Sequence, residues 1–143
     1  MTVRRAEARD ADAVTALLAA LGRPAVAEDP SAQRAVYEEH LTAGGLVFVA
    51  EDEGRVVGVA SLWIRARLNW TTPEAWLPDL YVAPSARRRG HARALLDACA
   101  DEARAHGCHR LILESGHERA EAHQLYESYG FVHYARSYAI ALR

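Results

Sequence analysis

The stretch Arg87-Arg88-Arg89-Gly90-His91-Ala92 decides how this chain is read. It lies between an apolar run, Leu80-Tyr81-Val82, and a strongly helical segment that begins near Gly90. A strand, a basic glycine-containing turn and a helix start together make an anion site. The first N–H groups of a helix have no intrahelical partner, and the helix dipole adds partial positive charge at the same place. Arginine contributes planar donor forks suited to phosphate. The spacing is Arg-x-x-Gly-x-Ala, which leaves a small residue wherever backbone must approach a bulky ligand.

Composition narrows the class of molecule. At 143 residues the chain has the length of one domain, spanning 1–143, with room for a real core. Half the residues are apolar and a quarter charged, the balance of a soluble globular protein. Lys and Arg number 17 against 19 Asp and Glu, so no global basic field argues for nucleic acid and the arginine run is a local feature. Met1-Thr2-Val3-Arg4-Arg5 leads into no apolar secretory stretch, and no apolar run reaches membrane-spanning length. Cys99 and Cys108 have neither metal-ligand spacing nor the makings of a disulfide framework. The expectation is a cytoplasmic protein with no membrane, nucleic-acid or metal partner.

Outward from the arginine turn, Gly90 to His106 is the strongest helix. Ala92, Leu95, Leu96, Cys99 and Ala103 make its apolar stripe, and Gly107 supplies the stop. Upstream, Trp76 to Val82 reads as a strand in which Pro78, lacking an N–H, implies a bulge or an unpaired position. Leu46 to Glu51 and Arg55 to Arg67 flank Asp52-Glu53-Gly54 as an antiparallel hairpin. Thr2 to Ala6 forms a first strand. Asp10 offers an N-cap to a helix through Leu21, with Val14, Leu17, Leu18 and Leu21 on one face, stopped by Gly22-Arg23-Pro24. A second helix starts at Asp29-Pro30 and ends before Gly44-Gly45. Downstream come a buried strand at Leu111-Ile112-Leu113, a helix from Glu118 to Tyr129 stopped by Gly130, and one or two closing strands within Phe131 to Leu142. The order β-α-α-β-β-β-α-β-α-β-β describes a mixed α/β domain around one sheet, without repeats or linkers.

That order, with Arg-x-x-Gly-x-Ala after the fourth strand, resembles the GNAT superfamily of acyl-CoA-dependent N-acyltransferases over essentially the whole chain. The most specific part runs from Asp79 to Phe131: Asp-Leu-Tyr-Val-Ala-Pro, then Arg-Arg-Arg-Gly-His-Ala-Arg-Ala-Leu-Leu, then Leu-Tyr-Glu-Ser-Tyr-Gly-Phe. Three motifs in the family's order and spacing weigh far more than one. The resemblance implies a mostly antiparallel sheet with flanking helices, its fourth strand splayed from the fifth near Pro78. It implies that the pantetheine arm of acetyl-CoA lies in that gap as a pseudo-strand, pairing with backbone near Leu80 and Val82. The pyrophosphate then sits on the amides from Arg88 to Ala92, including Arg89, Gly90 and His91, with Arg87 and Arg88 also reaching the phosphates. His91 serves there through its amide rather than its ring.

Amide formation needs a neutral amine, a polarised thioester carbonyl and a proton for the departing thiolate. Tyr126, four residues before Gly130, matches the tyrosine that many members use as general acid, and a phenol with the ordinary pKa near 10 keeps its proton at neutral pH. Asp79, at the strand bulge, matches the acidic residue that draws a proton from the amine through water. Glu114, at the end of the next strand, competes for that role, as does water with no dedicated base. The bland readings are that Tyr126 packs on CoA and that Asp79 satisfies loop amides beside Pro78. His123 shares a helical face with Tyr126, yet a packing or solvent-facing role suits it better. His106, His109, His117 and His133 show no metal-ligand pattern.

The acceptor is read elsewhere. Ser61, Trp63, Arg65 and Arg67 alternate onto one face of the third strand. With Trp70 in the following loop they make either a wall that grips an anionic group of the amine or a dimer surface with edge-strand arginines. The helix containing Ala122-His123 also resembles small-molecule members that acetylate aminoalkylphosphonates or aminoglycosides; a polycationic aminoglycoside would want acidic walls from Glu74, Asp79 and Glu114. The expected activity is therefore acetyl transfer from acetyl-CoA to a small primary amine. The alternatives are a non-catalytic acyl-CoA-binding sensor or partner-binding domain, and a protein N-terminal acetyltransferase. The C-terminal run Arg136 to Leu142 offers an edge for a homodimer.

Overall fold

Glu53 and Gly54 turn the chain with left-handed backbone, φ 50° and 75°. The strands on either side, β2 (Leu46–Asp52) and β3 (Arg55–Arg65), pair antiparallel around them. The computed structural model describes residues 1–21, 28–115 and 120–143. These fall into two compact units, Met1–Ile112 and Leu113–Arg143. In the first, β1 (Thr2–Arg5) adds to the outer edge of β2, while β4 (Glu74–Leu77) and β5 (Leu80–Val82) both pair antiparallel with β3. β6 (Leu111–Leu113) follows β4, giving the order β1-β2-β3-β4-β6, and among the described residues β5 pairs with β3 off this path. The fold is the expected mixed α/β arrangement of one mostly antiparallel sheet with flanking helices.

Strand alternation assigns the two faces. Val47, Val49, Val59 and Tyr81 face one way and share a core with Val14 and Leu17 of α1 (Ala11–Ala20) and Tyr37 of α2 (Pro30–Thr42). On the other face Leu95, Leu96 and Cys99 of α3 (His91–Ala105) are wholly buried. Gly58 permits that approach: a Cβ there would stand 3.1 Å from Leu95 Cδ1 and 3.3 Å from Val82 Cγ2. Cys99 is core, as expected, and burial pushes its thiol up to about 12, so no thiolate nucleophile arises there.

The helix ends follow local chemistry. Pro30 occupies the first turn of α2 and the Asp29 carboxylate accepts from Ala32 N–H at 3.0 Å. At the end of α3, Gly107 (φ 72°) lets Cys108 N–H donate to Ala103 O and its own N–H to Arg104 O, the Schellman pattern. Cys108 is thus structural through its amide. Asp10 behaves differently from expectation. It closes a short 3-10 turn, Ala8–Asp10, and gives no side-chain cap to α1. Its carboxylate turns back instead, accepting from Glu7 N–H at 2.7 Å and from both ends of the Arg4 fork at 2.8 and 2.9 Å. A bidentate pair with a guanidinium outweighs one cap bond from a backbone N–H.

The Arg4 hydrogen bonds pull the Asp10 carboxyl from 3.8 down to about 2, against the opposing effect of burial. A depressed carboxyl stabilises the fold fully above its unfolded value, and that contribution is lost as pH falls through the folded one. The shift corresponds to about 2 kcal/mol. Asp10→Asn is therefore expected to melt lower than wild type at neutral pH and to decline less steeply between about pH 4 and 2. Parallel acid profiles would remove this role.

The described part of the second unit contains one helix, α4 (Ala120–Tyr129). Gly130 (φ 123°) ends it, with Phe131 N–H returning to Tyr126 O at 2.9 Å. The expected helix start at Glu118 and the stop at Gly22-Arg23-Pro24 lie outside the described residues. The expected closing strands do not form: residues 131–143 carry no strand. Val132, Tyr134, Tyr138, Ile140 and Leu142 alternate as a strand would and are exposed. A strand exists only through a ladder, and among the described residues of its own unit this segment finds no partner strand.

Candidate active site

Pro78 interrupts the fourth strand, as its missing N–H anticipates, and the register shows how. Trp63 faces Trp76 and Arg65 faces Glu74, whereas Ala60 faces Leu80 and Gly58 faces Val82. Between the halves the pairing slips by one residue, so a bulge at Pro78 separates β4 from β5. The expected single strand from Trp76 to Val82 is therefore two short ones, and β3 ends at Arg65 rather than Arg67 because Trp70 N–H turns back onto Arg67 O. β6 follows β4 but not β5.

The ladder also fixes which backbone groups look outward. Ser61 N–H donates to Asp79 O at 2.9 Å and Ala83 N–H to Val57 O at 2.8 Å. Alternation then directs Asp79, Tyr81 and Ala83 toward β3, and turns the peptide groups of Leu80 and Val82 away from it. These are the two residues expected to pair with an extended ligand. Val82 O is engaged by Arg87 Nε at 3.0 Å, and the Arg87 guanidinium lies 5.4 Å from the Tyr81 ring centre.

The turn that follows enters the helix through left-handed backbone. Arg88 (φ 62°) and Gly90 (φ 82°) are both left-handed, and α3 starts immediately after them. Left-handed residues at a helix start aim successive N–H groups into one concavity. Arg88 is the informative residue, because a non-glycine side chain in that region costs about 1 kcal/mol and persists where surroundings impose it. Arg89 is tied to Asp52 at 2.8 Å. His91 is buried, with Nδ1 3.1 Å from Met1 Sδ and Nε2 3.7 Å from Asp52.

Asp79 stands at the foot of an open pocket on the α1–α2 face, together with Gln33, Tyr37, His40 and Ser61. Ser61 Oγ donates to Asp79 Oδ2 at 2.7 Å and accepts from Asp79 N–H at 3.1 Å. Sequence reasoning placed Ser61 on the right face without linking it to Asp79, since only the bulge brings the two opposite each other. His40 was missed altogether. Its ring meets Trp63 edge-on at 4.4 Å and its Nε2 lies 3.0 Å from Leu46 O. Gly45 makes room for it: a Cβ there would fall 2.5 Å from the imidazole. Burial raises the Tyr37 phenol to about 12, and it donates to Glu7 O at 2.6 Å as a neutral wall.

Farther along the same face, Glu74 is wholly buried and cannot serve as the open acidic wall considered for a polycation. Arg65 binds it through two nitrogens at 3.0 and 2.8 Å, Arg67 at 3.0 Å and Arg110 at 3.2 Å. Arg110 was not anticipated as a partner, because β6 carries it to β4 from far along the chain.

Tyr126 and Glu114 belong to the second unit. There the Tyr126 ring meets Phe131 edge-on at 5.9 Å, and Phe131 lies 5.8 Å from Tyr129. His117 lies outside the described residues. Among the described residues no group of three His, Cys, Asp or Glu side chains could hold a metal, and no helix is long and apolar enough to cross a membrane.

Comparison with known proteins gives a consistent outcome. A profile of the acetyltransferase (GNAT) family matches residues 12–131. An uncharacterized N-acetyltransferase of Bacillus subtilis (strain 168), YhfO, is 33% identical over 95 residues, which is 62% of this chain and 64% of that protein. The match therefore spans slightly under two thirds of this curated relative. Among solved structures, an acetyltransferase of Trypanosoma brucei superposes with TM-score 0.79 at 26% identity over 99% of both chains. AAC(6′)-Iy in complex with the bisubstrate analog CoA-S-monomethyl-acetylneamine superposes with TM-score 0.85 at 25% identity, covering 99% of this chain and 97% of that one.

Proposed function

The chain belongs to the acetyltransferase (GNAT) family, and from that premise we propose that it moves an acetyl group from acetyl-CoA to the primary amine of a small molecule. The amine attacks the thioester directly. Asp79 takes the amine's proton through water, and Tyr126 returns a proton to the departing CoA thiolate. Leu80 and Val82 hold the pantetheine arm by backbone pairing, and the turn Arg87, Arg88, Arg89, Gly90, His91 and Ala92 holds the pyrophosphate.

The observation that carries this reading is the bulge at Pro78. One extra residue in the strand sets the Asp79 carboxylate on the pocketed face, beside a strand edge whose Leu80 and Val82 peptides turn away from β3. Ser61 supports the base: its hydroxyl donates to one Asp79 oxygen and fixes the carboxylate in the pocket. The pocket also favours a small acceptor, since α1, α2 and β3 wall it on several sides.

Thiol release from acetyl-CoA, measured across a panel of small amines and N-terminal peptides, tests the proposal. Release with small amines is expected. Release confined to peptides would overturn the acceptor class, and tight CoA binding without release would make the chain a sensor. Asp79→Asn is expected to lower kcat/KM about tenfold at neutral pH, the deficit closing at higher pH where amines arrive neutral. A deficit independent of pH would remove Asp79 as base.

A further inference from the structure

We propose that Arg65 and Arg67, held in place by Glu74, form an anion subsite for the acceptor, so that the amine acetylated here carries a carboxylate or phosphonate at its far end. This rests on the proposed acetyl transfer and names the chemistry of its second substrate. The first argument is charge. The Glu74 side chain is 0% exposed and Arg65 already pairs with it through two nitrogens, 3.0 and 2.8 Å to one oxygen. One guanidinium neutralises one carboxylate, and each further cation brought to the same place adds repulsion. Arg67 is nevertheless drawn in at 3.0 Å, and Arg110 at 3.2 Å. Even with Arg110 set aside, Arg65 and Arg67 share a single carboxylate and leave a surplus positive charge.

The second argument is access. Arg65 and Arg67 keep 36% and 37% of their side-chain surface exposed while Glu74 keeps none. The carboxylate is therefore behind the arginines, and an incoming ligand meets guanidinium first. Glu74 acts as the positioning residue that fixes their orientation.

The third argument is alignment with the chemistry. Ser61, Trp63 and Arg65 lie on one face of β3, and Ser61 touches Asp79. Four residues of strand separate the ends, roughly 13 Å. Between them Trp63 faces Trp76 across the ladder, both half-buried, and the Arg65 guanidinium lies 4.8 Å from the Trp76 ring centre. Trp70 stands exposed at the rim, stacked on His109 at 4.1 Å. The ligand this describes has an amine at Asp79, an apolar middle over two indoles and an anionic tail at the arginines.

All three tryptophans of the chain, Trp63, Trp70 and Trp76, stand at this strip. Intrinsic fluorescence therefore reads binding there without requiring turnover. The probes are ω-amino carboxylates graded in chain length, the matching ω-amino phosphonates and the matching ω-amino alcohols. Wild type is expected to bind an anionic member roughly tenfold more tightly than the alcohol of equal length. Arg67→Gln leaves Glu74 paired with Arg65 and is expected to erase that preference. The relative strength of carboxylate and phosphonate identifies the anion. Equal binding of anion and alcohol, or a preference that survives Arg67→Gln, would overturn the subsite. Thiol release on the same probes is scored separately, so a protein that binds them without releasing thiol contradicts acetyl transfer and not the subsite.

Discussion

Replacing Tyr126 with phenylalanine is expected to lower kcat roughly a hundredfold, the low end of what a positioned proton donor contributes, with little change in KM for acetyl-CoA. The substitution removes one oxygen and keeps the ring. The edge-on contact with Phe131 at 5.9 Å needs only the ring, and the helix end at Gly130 uses the backbone Tyr126 O. Those ring and backbone contacts are kept in the variant, and the thiolate then leaves without a proton. A packing role predicts the reverse: unchanged kcat, or a rise in KM with kcat intact. Rapid-quench or steady-state thiol release separates the two outcomes, and unchanged turnover would remove Tyr126 as the acid.

The second large effect is on stability. Burial opposes ionisation of Glu74, but hydrogen bonds from Arg65, Arg110 and Arg67 outweigh it and hold the carboxyl below its ordinary range. Glu74→Gln keeps the shape and removes the charge, leaving three guanidiniums facing a neutral amide. Breaking a fully buried pair costs about 3 to 5 kcal/mol. The arginines here retain about a third of their side-chain surface in water, which places the loss near the lower figure, or roughly 10 °C in Tm. Two signs distinguish the mechanism. Added salt should narrow the gap, because it screens repulsion among the arginines. Acid should narrow it too, since a depressed carboxyl loses its contribution as pH falls through its folded value. Equal melting of wild type and Glu74→Gln would mean that the cluster carries no net stabilisation.

How far the sequence could be read depended on the range of the interaction. Local chemistry was legible: Asp29-Pro30 at a helix start, Glu53-Gly54 in a hairpin turn and Gly107 at a helix end all act within a few residues of themselves. Pro78 was legible as an interruption because a missing N–H is a property of one residue. Its consequence, Ser61 opposite Asp79, was not, because register belongs to two strands at once. Glu74 was misjudged for the same reason. Its three arginines come from β3, from the loop after it and from just before β6, and only the sheet brings them together. Asp10 was legible as a helix-start residue, yet Arg4 was a stronger partner than the helix. The alternating run after Phe131 had strand propensity, and propensity supplies no partner.

The outward edge of β5 carries a hazard as well as the donor site proposed for it. Peptide groups that can pair with a pantetheine arm can pair with any extended chain, including the same edge of another copy, which is how aggregation by strand addition begins. Three features keep that template small. The edge is three residues long, Leu80 to Val82. Arg87 occupies its last carbonyl at 3.0 Å. Pro84 and the arginine run follow directly, denying a growing sheet both a donor and a neutral surface. The basic turn is therefore also a gatekeeper, and neutralising its arginines would expose the chain to self-association before any question of donor affinity arose.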